Sequence, residues 1–167
     1  MDAWNECLAR PHRRAGGVAG FTLIELIVVV AIAGILLGIA APSFSRMIAN
    51  QRAKAVGTEL FLSLTKARSE AIARNVNVTL SPKSADWTNG WQIVDPADTL
   101  KALEDRGAAV AATVTGPTNV VYQASGRLPA GSAASFLVTT VAGSTSFYQC
   151  VSVDLGGRPY MKAEQTC

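Results

Sequence analysis

The longest apolar stretch of the chain covers residues 21–41, in which Glu25 is the only charged side chain among 21 residues. At about 1.5 Å per residue, a helix of this length measures roughly 32 Å and can cross a hydrocarbon core of about 30 Å. A carboxylate near the start of a membrane span is costly, so it indicates a functional site with a positive partner. A free amine on Phe21, produced by cleavage after Gly20, would be such a partner.

After this span, the apolar positions follow a helical stripe. Steps of three and four residues separate its members, which are Val56, Leu60, Leu64, Ala67 and Ala71. This spacing predicts an amphipathic helix that packs one face on a soluble domain. Pro42 can kink such a helix without ending it, and the region of Asn75 is the predicted end.

From Val76 to Leu80 the pattern alternates between apolar and polar residues, and Ser81-Pro82 is expected to end this first strand. Further strand candidates are residues 91–94, 120–123, 136–140 and 147–153. Turns are expected at 116–117, 128–131 and 143–144, while residues 95–118 have no assignment. One long helix followed by several short strands predicts an α+β chain, with a small β-rich head packed on the second half of the helix.

The net charge of +3 gives no strong signal for nucleic-acid binding, but the charges are unevenly distributed. Residues 46–74 carry six basic and two acidic side chains, a net of +4, whereas residues 75–167 have a net of −1. Arg46, Arg52 and Lys54 follow the span closely, where they can contact anionic headgroups or neighbouring subunits. The same segment is a competing explanation for any affinity for DNA.

The cysteines Cys7, Cys150 and Cys167 are an odd number, which fits poorly with an exported protein. Cleavage after Gly20 would remove Cys7 and leave a pair that fits a disulfide in an oxidising compartment. The same cleavage would remove His12, the only histidine. Neither a nucleophile–base pair nor a metal site with imidazole ligands is therefore expected.

Two further groups of residues have both a structural and a functional interpretation. A set of carboxylates fits a solvated loop, with calcium binding as a less favoured alternative: Asp95, Asp98, Glu104 and Asp105. Trp87 and Trp91 fit packing in the core better than a ligand site. We therefore expect no enzyme activity, no cofactor and no metal site.

The N-terminal segment has two alternatives to cleavage after Gly20. Residues 1–20 contain Arg10, Arg13 and Arg14, so an ordinary secretory signal with a small-residue cleavage site near residues 38–40 is one of them. A plain anchor with its basic end in the cytoplasm is the other. The span is longer than the usual signal core and contains a carboxylate, and the sequence after it continues as a helix. These features disfavour the secretory signal.

Residues 20–26, Gly-Phe-Thr-Leu-Ile-Glu-Leu, resemble the type IV prepilin signature, together with a span that ends in Ala-Ala-Pro at residues 40–42. The resemblance implies cleavage after Gly20 by a prepilin peptidase and N-methylation of Phe21. It also implies that Glu25 aligns the subunit with its neighbour through the terminal amine.

Residues 42–44, 50–52 and 67–75, with Trp87 and Gly90-Trp91 in the head, are similar to the FimT/GspH branch of minor pilins and pseudopilins. The resemblance implies a type IV pilin-like fold with an antiparallel head. Its segments are a leader peptide (1–20), a transmembrane and assembly helix (21–41), an amphipathic continuation (42–75) and a head with a C-terminal disulfide loop (76–167). A single pass through the inner membrane, with the head in the periplasm, would precede incorporation into a pilus or pseudopilus fibre.

The C-terminal tail carries a partial match to a further motif. FimT-type pilins that bind DNA have a Gly-Arg-x-Arg element in this tail, which Gly157 and Arg158 match. Tyr160 stands in place of the second arginine, and Lys162 follows. In an extended segment, Arg158, Tyr160 and Lys162 share one side, where they can contact phosphates and stack on a base.

Neighbouring charges bear on this tail hypothesis in both directions. Asp154 and Glu164 share the same parity and would oppose phosphate, so a turn with a solvated hairpin is the alternative. Arg127, which follows Gly126, would add to the basic surface only if the fold brings it near.

The predicted function is a minor pilin of a type IV pilus, with DNA binding for uptake in natural transformation as a further hypothesis. The alternative is a GspH-like minor pseudopilin of a type II secretion system without DNA binding. The expected partners are a prepilin peptidase, other pilins or pseudopilins, the inner membrane and, under the further hypothesis, DNA.

Overall fold

The computed structural model describes residues 20–98 and 101–167. The chain divides into two compact units, of which the first ends at Ile39 and the second begins at Ala40. The leader expected at residues 1–20 lies outside the described residues except for Gly20, as do Cys7 and His12. One helix, α1, comprises Leu23–Arg74.

In the first unit, Thr22 caps the start of α1. Its hydroxyl oxygen accepts a hydrogen bond from the backbone N–H of Glu25 at 3.2 Å, which satisfies one of the unpaired donors of the first turn. The apolar side chains that follow are exposed, among them Leu23, Ile24 and Leu36. By length and composition, α1 is able to cross a membrane.

In the second unit, the predicted stripe of α1 forms part of the core. All five of its side chains are buried: Val56, Leu60, Leu64, Ala67 and Ala71. The helix ends at Arg74, and Asn75 follows in the left-handed conformation with a φ of 54°, which is a common way to end a helix. The predicted amphipathic helix and its end are therefore confirmed.

Eight strands follow the helix in the described residues. They are β1 (Val78–Lys83), β2 (Asp86–Val94), β3 (Ala102–Asp105), β4 (Thr113–Thr115), β5 (Val120–Tyr122), β6 (Ala134–Ala142), β7 (Thr145–Val153) and β8 (Pro159–Lys162). They form two four-stranded sheets with the orders β3-β2-β1-β5 and β4-β6-β7-β8. Neighbouring strands are antiparallel, so the predicted α+β class and antiparallel head are confirmed.

Strand β1 continues through Ser81-Pro82, so the predicted break was wrong. Pro82 pairs with Trp91 of β2 on one side. On the other side, β5 pairs only with Val78–Leu80, so the missing N–H of the proline interrupts no ladder there. Proline is tolerated because this part of β1 has become an edge.

The two head tryptophans pack in the core, as expected. Trp87 meets Phe136 edge to face with ring centroids 4.7 Å apart, and its indole N–H donates to the carbonyl of Pro117 at 2.6 Å. The indole N–H of Trp91 donates to the hydroxyl of Ser63 on α1 at 2.8 Å. Both indoles thus combine apolar burial with a satisfied polar atom, which accounts for their presence without a ligand.

Candidate functional site

The expected processing and assembly residues lie together at the start of α1. Gly20 and Phe21 precede the helix, and Glu25 lies in its first turn. The side chains of Phe21 and Glu25 are exposed, with Phe21 81% accessible. An acidic side chain in the first turn interacts favourably with the positive end of the helix dipole. Both side chains are therefore accessible at the surface of the described chain.

The C-terminal tail forms a hairpin with β7, closed by the turn 154–158. The backbone N–H of Asp154 donates to the carbonyl of Arg158 at 3.2 Å, and the N–H of Gly157 donates to the carbonyl of Asp154 at 2.9 Å. The carboxylate of Asp154 accepts the backbone N–H of Arg158 at 2.9 Å. One carboxylate oxygen of Asp154 therefore serves as a hydrogen-bond acceptor that stabilises the turn.

Strand β8 carries Tyr160 and Lys162 on one face. They pair with Ser152 and Cys150 of β7, and the ammonium of Lys162 lies 5.8 Å from the centre of the Tyr160 ring, within cation–π range. Tyr160 is 44% exposed. Arg158 directly precedes the strand, and its carbonyl accepts the backbone N–H of Asp154, so the row that it was expected to share with Tyr160 and Lys162 stays a prediction.

The fold brings Arg127 next to this hairpin. A second turn, 123–127, is closed by a hydrogen bond of 2.9 Å from the N–H of Gln123 to the carbonyl of Arg127. A Cβ on Gly157 would lie 2.0 Å from the carbonyl oxygen of Gly126 and 3.2 Å from the Cα of Arg127. The two turns are therefore in backbone contact. We call 123–127 and 154–158 the two-turn surface, on which Arg127 and Arg158 are both exposed.

Arg68 of α1 lies beneath the two-turn surface, half-buried, and the sequence reasoning did not single it out. Its Nε donates to the carbonyl of Gly126 at 3.0 Å, and one terminal nitrogen donates to the carbonyl of Gly156 at 3.3 Å. The available signal was its position next to the buried Ala67, since a charged residue beside an apolar stripe lies at the boundary of a packed interface.

Tyr122, at the end of β5, is buried close to the same charges. Its hydroxyl has no hydrogen-bond partner among the described residues. Burial raises the pKa of this hydroxyl, Arg68 opposes the shift and Asp154 adds to it. The phenol therefore stays protonated and neutral.

The tail beyond β8 is tied back to β7. The expected disulfide joins Cys150 and Cys167, whose Cα atoms are 5.5 Å apart. The side-chain amide of Gln149 also donates to the carbonyl of Lys162 at 2.9 Å. Both links hold Tyr160 and Lys162 against the sheet.

The acidic residues of 95–105 are only partly the solvated loop that was expected. Asp95 is buried and accepts hydrogen bonds from the backbone N–H of Ala97 at 2.9 Å and from Arg74 at 3.1 Å. These contacts outweigh burial and lower the pKa of Asp95. Among the described residues, no three side chains of His, Cys, Asp or Glu are grouped to hold a metal ion.

Glu104 of β3 has two partners on α1, Ser63 and Lys66, and one just after its own strand, Arg106. It accepts a hydrogen bond from the hydroxyl of Ser63 and pairs with Lys66 at 3.2 Å and Arg106 at 3.1 Å. Burial alone would raise the pKa of Glu104, but these contacts together lower it. The carboxylate therefore fastens β3 to the helix.

Comparison with known proteins gives two matches to family models. Residues 57–157, more than half of the chain, match type II transport protein GspH, and residues 17–41 match the prokaryotic N-terminal methylation motif. The pilin-like protein PilA1 of Thermus thermophilus is 44% identical over 63 residues, which cover 36% of this chain and 38% of that relative.

Two crystal forms of the type IV minor pilin FimU from Pseudomonas aeruginosa resemble the chain in fold. The first has a TM-score of 0.59 at 22% identity and covers 70% of this chain and 96% of FimU. The second has a TM-score of 0.56 at 21% identity and covers 68% and 98%. The predicted type IV pilin architecture is thereby confirmed.

Proposed function

Because the chain belongs to the GspH family of minor pilins and pseudopilins, we propose that it is a minor subunit of a type IV pilus, held in the fibre by its N-terminal helix. The observation that carries this proposal is the exposed apolar helix with Glu25 in its first turn. A prepilin peptidase cleaves after Gly20, and the new amine of Phe21 is methylated. The subunit is anchored by this helix in the inner membrane, with its head in the periplasm, before it enters the fibre.

The proposed assembly contact joins Glu25 of one subunit to the terminal amine of another. A carboxylate in an apolar surrounding is destabilised unless an opposite charge compensates it, and attraction is strongest where water is excluded. The contact therefore favours the one axial register in which the two charges meet. The exposed apolar side chains around Glu25 supply the rest of the helix-to-helix packing.

This mechanism is tested with Glu25→Ala and with Gly20→Asp in the strain that makes the fibre. The first variant is expected to fold and to be cleaved but to be lost from sheared fibres. Normal incorporation of Glu25→Ala would contradict the role of the carboxylate. The second is expected to stay unprocessed, and a mass spectrum in which it still loses 20 residues would exclude the cleavage site.

The two-turn surface supports a second function, DNA binding during uptake. Arg127 and Arg158 adjoin on contacting turns, while Tyr160 and Lys162 lie on the strand that follows. Guanidinium groups bind phosphates, and an exposed aromatic ring can stack on a base. Such a surface binds single-stranded DNA without strict sequence preference and weakens steeply as salt increases.

The DNA hypothesis is tested by anisotropy titration of the full chain, in nonionic detergent micelles, with a labelled single-stranded oligonucleotide across a salt series. Lys162→Ala removes the one cation on its phosphate and is expected to lower the salt slope by about 0.7, and Arg158→Ala is expected to weaken the binding. Lys54→Ala is the matched control, since it removes one charge at about 21 Å along α1 from Arg68. No binding at low salt would exclude the function. A weakening confined to Lys54→Ala would place the DNA contact on the helix instead of the two-turn surface.

The alternative is a minor pseudopilin of a type II secretion system, which shares the assembly mechanism and needs no DNA. The match to type II transport protein GspH favours this alternative. Cross-linking through the head in cells, followed by identification of the captured subunits, separates the two. Capture of pilus subunits supports the pilus, whereas capture of secretion pseudopilins alone would contradict it. The genes that neighbour this one provide the same distinction.

A further inference from the structure

We infer that Arg68 is the positioning residue of the two-turn surface and keeps Arg127 and Arg158 together on one phosphodiester group. The inference rests on the proposed DNA binding and adds a residue of α1 that contacts no DNA itself. It assigns a role to a side chain that lies 58 and 88 residues away in sequence from the carbonyls to which it donates.

The chemistry of arginine suits this role. A guanidinium holds its five N–H donors in a rigid planar fork, so that one side chain can donate to two separate acceptors in fixed directions. Arg68 uses this fork on one carbonyl from each turn, Gly126 at 3.0 Å and Gly156 at 3.3 Å. A lysine at the same position would keep the charge, but its ammonium lacks the rigid planar fork and does not fix both turns in one arrangement.

The packing around the fork leaves little freedom to the two turns. Gly126 has a φ of +72°, and a Cβ there would lie 2.5 Å from Ile72 Cδ1 and 3.3 Å from the Nε of Arg68. Gly157 has a φ of +79° and faces the carbonyl of Gly126 directly. The helix therefore packs closely on the turn 123–127, and the two turns pack on each other, both at glycines with positive φ.

The charges give a reason why such a scaffold is needed. Arg127 and Arg158 have the same sign and repel each other when no anion lies between them. If their turns were free, each arginine would take up its own position, and a phosphate would have to bring them together at an entropic cost. Arg68 orders the two turns during folding, so this entropic cost is not incurred when DNA binds.

The inference predicts a specific change in a double-mutant cycle. In the natural chain, Arg127→Ala and Arg158→Ala are expected to be coupled, since two residues that bind the same phosphate are not independent. In an Arg68→Lys background, the coupling is expected to disappear and the affinity for the single-stranded oligonucleotide to fall about tenfold, the loss typical of one charged hydrogen bond. A role of Arg68 through charge alone would leave both quantities unchanged, because lysine keeps the charge.

A second measurement examines the turns without DNA. Hydrogen exchange followed by mass spectrometry on the full chain in micelles is expected to be about tenfold faster in peptides covering 123–127 and 154–158 of Arg68→Lys, with the exchange of β1 and β2 unchanged. This readout stays informative if the variant binds DNA too weakly for a cycle. If both turns of Arg68→Lys exchange at the same rates as in the natural chain, the inference is overturned.

The outcomes distinguish the inference from the function on which it rests. If Arg127→Ala and Arg158→Ala leave DNA binding unchanged in the natural chain, the DNA function of this surface fails, and the positioning role fails with it. If both weaken binding and their coupling persists in Arg68→Lys, only the positioning role is overturned. Loss of the coupling together with faster exchange in both turns supports it.

Discussion

Gly157 and Gly131 have nearly the same backbone conformation but different surroundings. Their φ angles are +79° and +78°, yet a Cβ on Gly157 would meet the carbonyl oxygen of Gly126 at 2.0 Å, whereas a Cβ on Gly131 would have nothing within 4 Å. Each change to alanine should cost about 1–2 kcal/mol for the left-handed conformation. Only Gly157→Ala should add the cost of separating two backbones.

We therefore predict that Gly157→Ala lowers the free energy of unfolding by about 2 kcal/mol more than Gly131→Ala, an added cost typical of overpacking. Chemical denaturation of both variants in the same detergent measures the difference, and Gly131→Ala is the matched control. Equal losses would show that the two turns can part without strain.

The buried hydroxyl of Tyr122 leads to the opposite prediction. Because this group has no partner among the described residues, its removal in Tyr122→Phe takes away a desolvated polar atom without breaking a hydrogen bond. The free energy of unfolding should stay unchanged or rise by up to about 1 kcal/mol. Trp91→Phe, which breaks the bond to Ser63, is the contrasting variant and should be destabilised. A loss above about 1 kcal/mol in Tyr122→Phe would reveal a partner for the hydroxyl.

Single residues also show how much of the candidate site could be predicted from the sequence. Gly157, Arg158 and Lys162 could be selected from it because the motif is local. The role proposed for Arg127 depends on a contact between turns about 30 residues apart, and Arg68 donates hydrogen bonds to both turns from the helix. No local pattern encodes which carbonyls a distant arginine will reach, so these two roles required the fold.

At the level of elements, the helix was the most predictable part and the short strands were the least. The stripe of α1 repeats over many turns, whereas β3, β4 and β8 have only four, three and four residues. Such strands have few alternating positions by which to recognise them, although the equally short β5 was predicted at residues 120–123. They form because a neighbouring strand supplies hydrogen-bonding partners. Strand β3 has a further support, since Glu104 fastens it to α1.

The attachment of β3 predicts a loss of stability in acid. Glu104 and Asp95 have lowered pKa values in the folded chain, so their contribution is complete above the unfolded values of about 4 and is lost as the pH falls through the folded values. The free energy of unfolding should therefore decrease below about pH 4. In Glu104→Gln the natural decrease should be smaller, because one of the two carboxylates no longer takes up a proton. An unchanged pH profile in this variant would contradict the role of Glu104.

At the scale of the whole molecule, the division into two compact units places the residue of the proposed assembly contact outside the unit that holds the core. The core of the second unit is built from residues beyond Ala40, whereas Glu25 belongs to the first unit. We predict that Glu25→Ala leaves the unfolding midpoint of the head unchanged, as followed by near-ultraviolet circular dichroism of the full chain in micelles. Leu64→Ala, in the buried stripe, should instead cost about 2–5 kcal/mol, as large cavities in a core do. A lower midpoint in Glu25→Ala would mean that the variant is lost from fibres because its fold is damaged. That loss would then no longer support a docking contact.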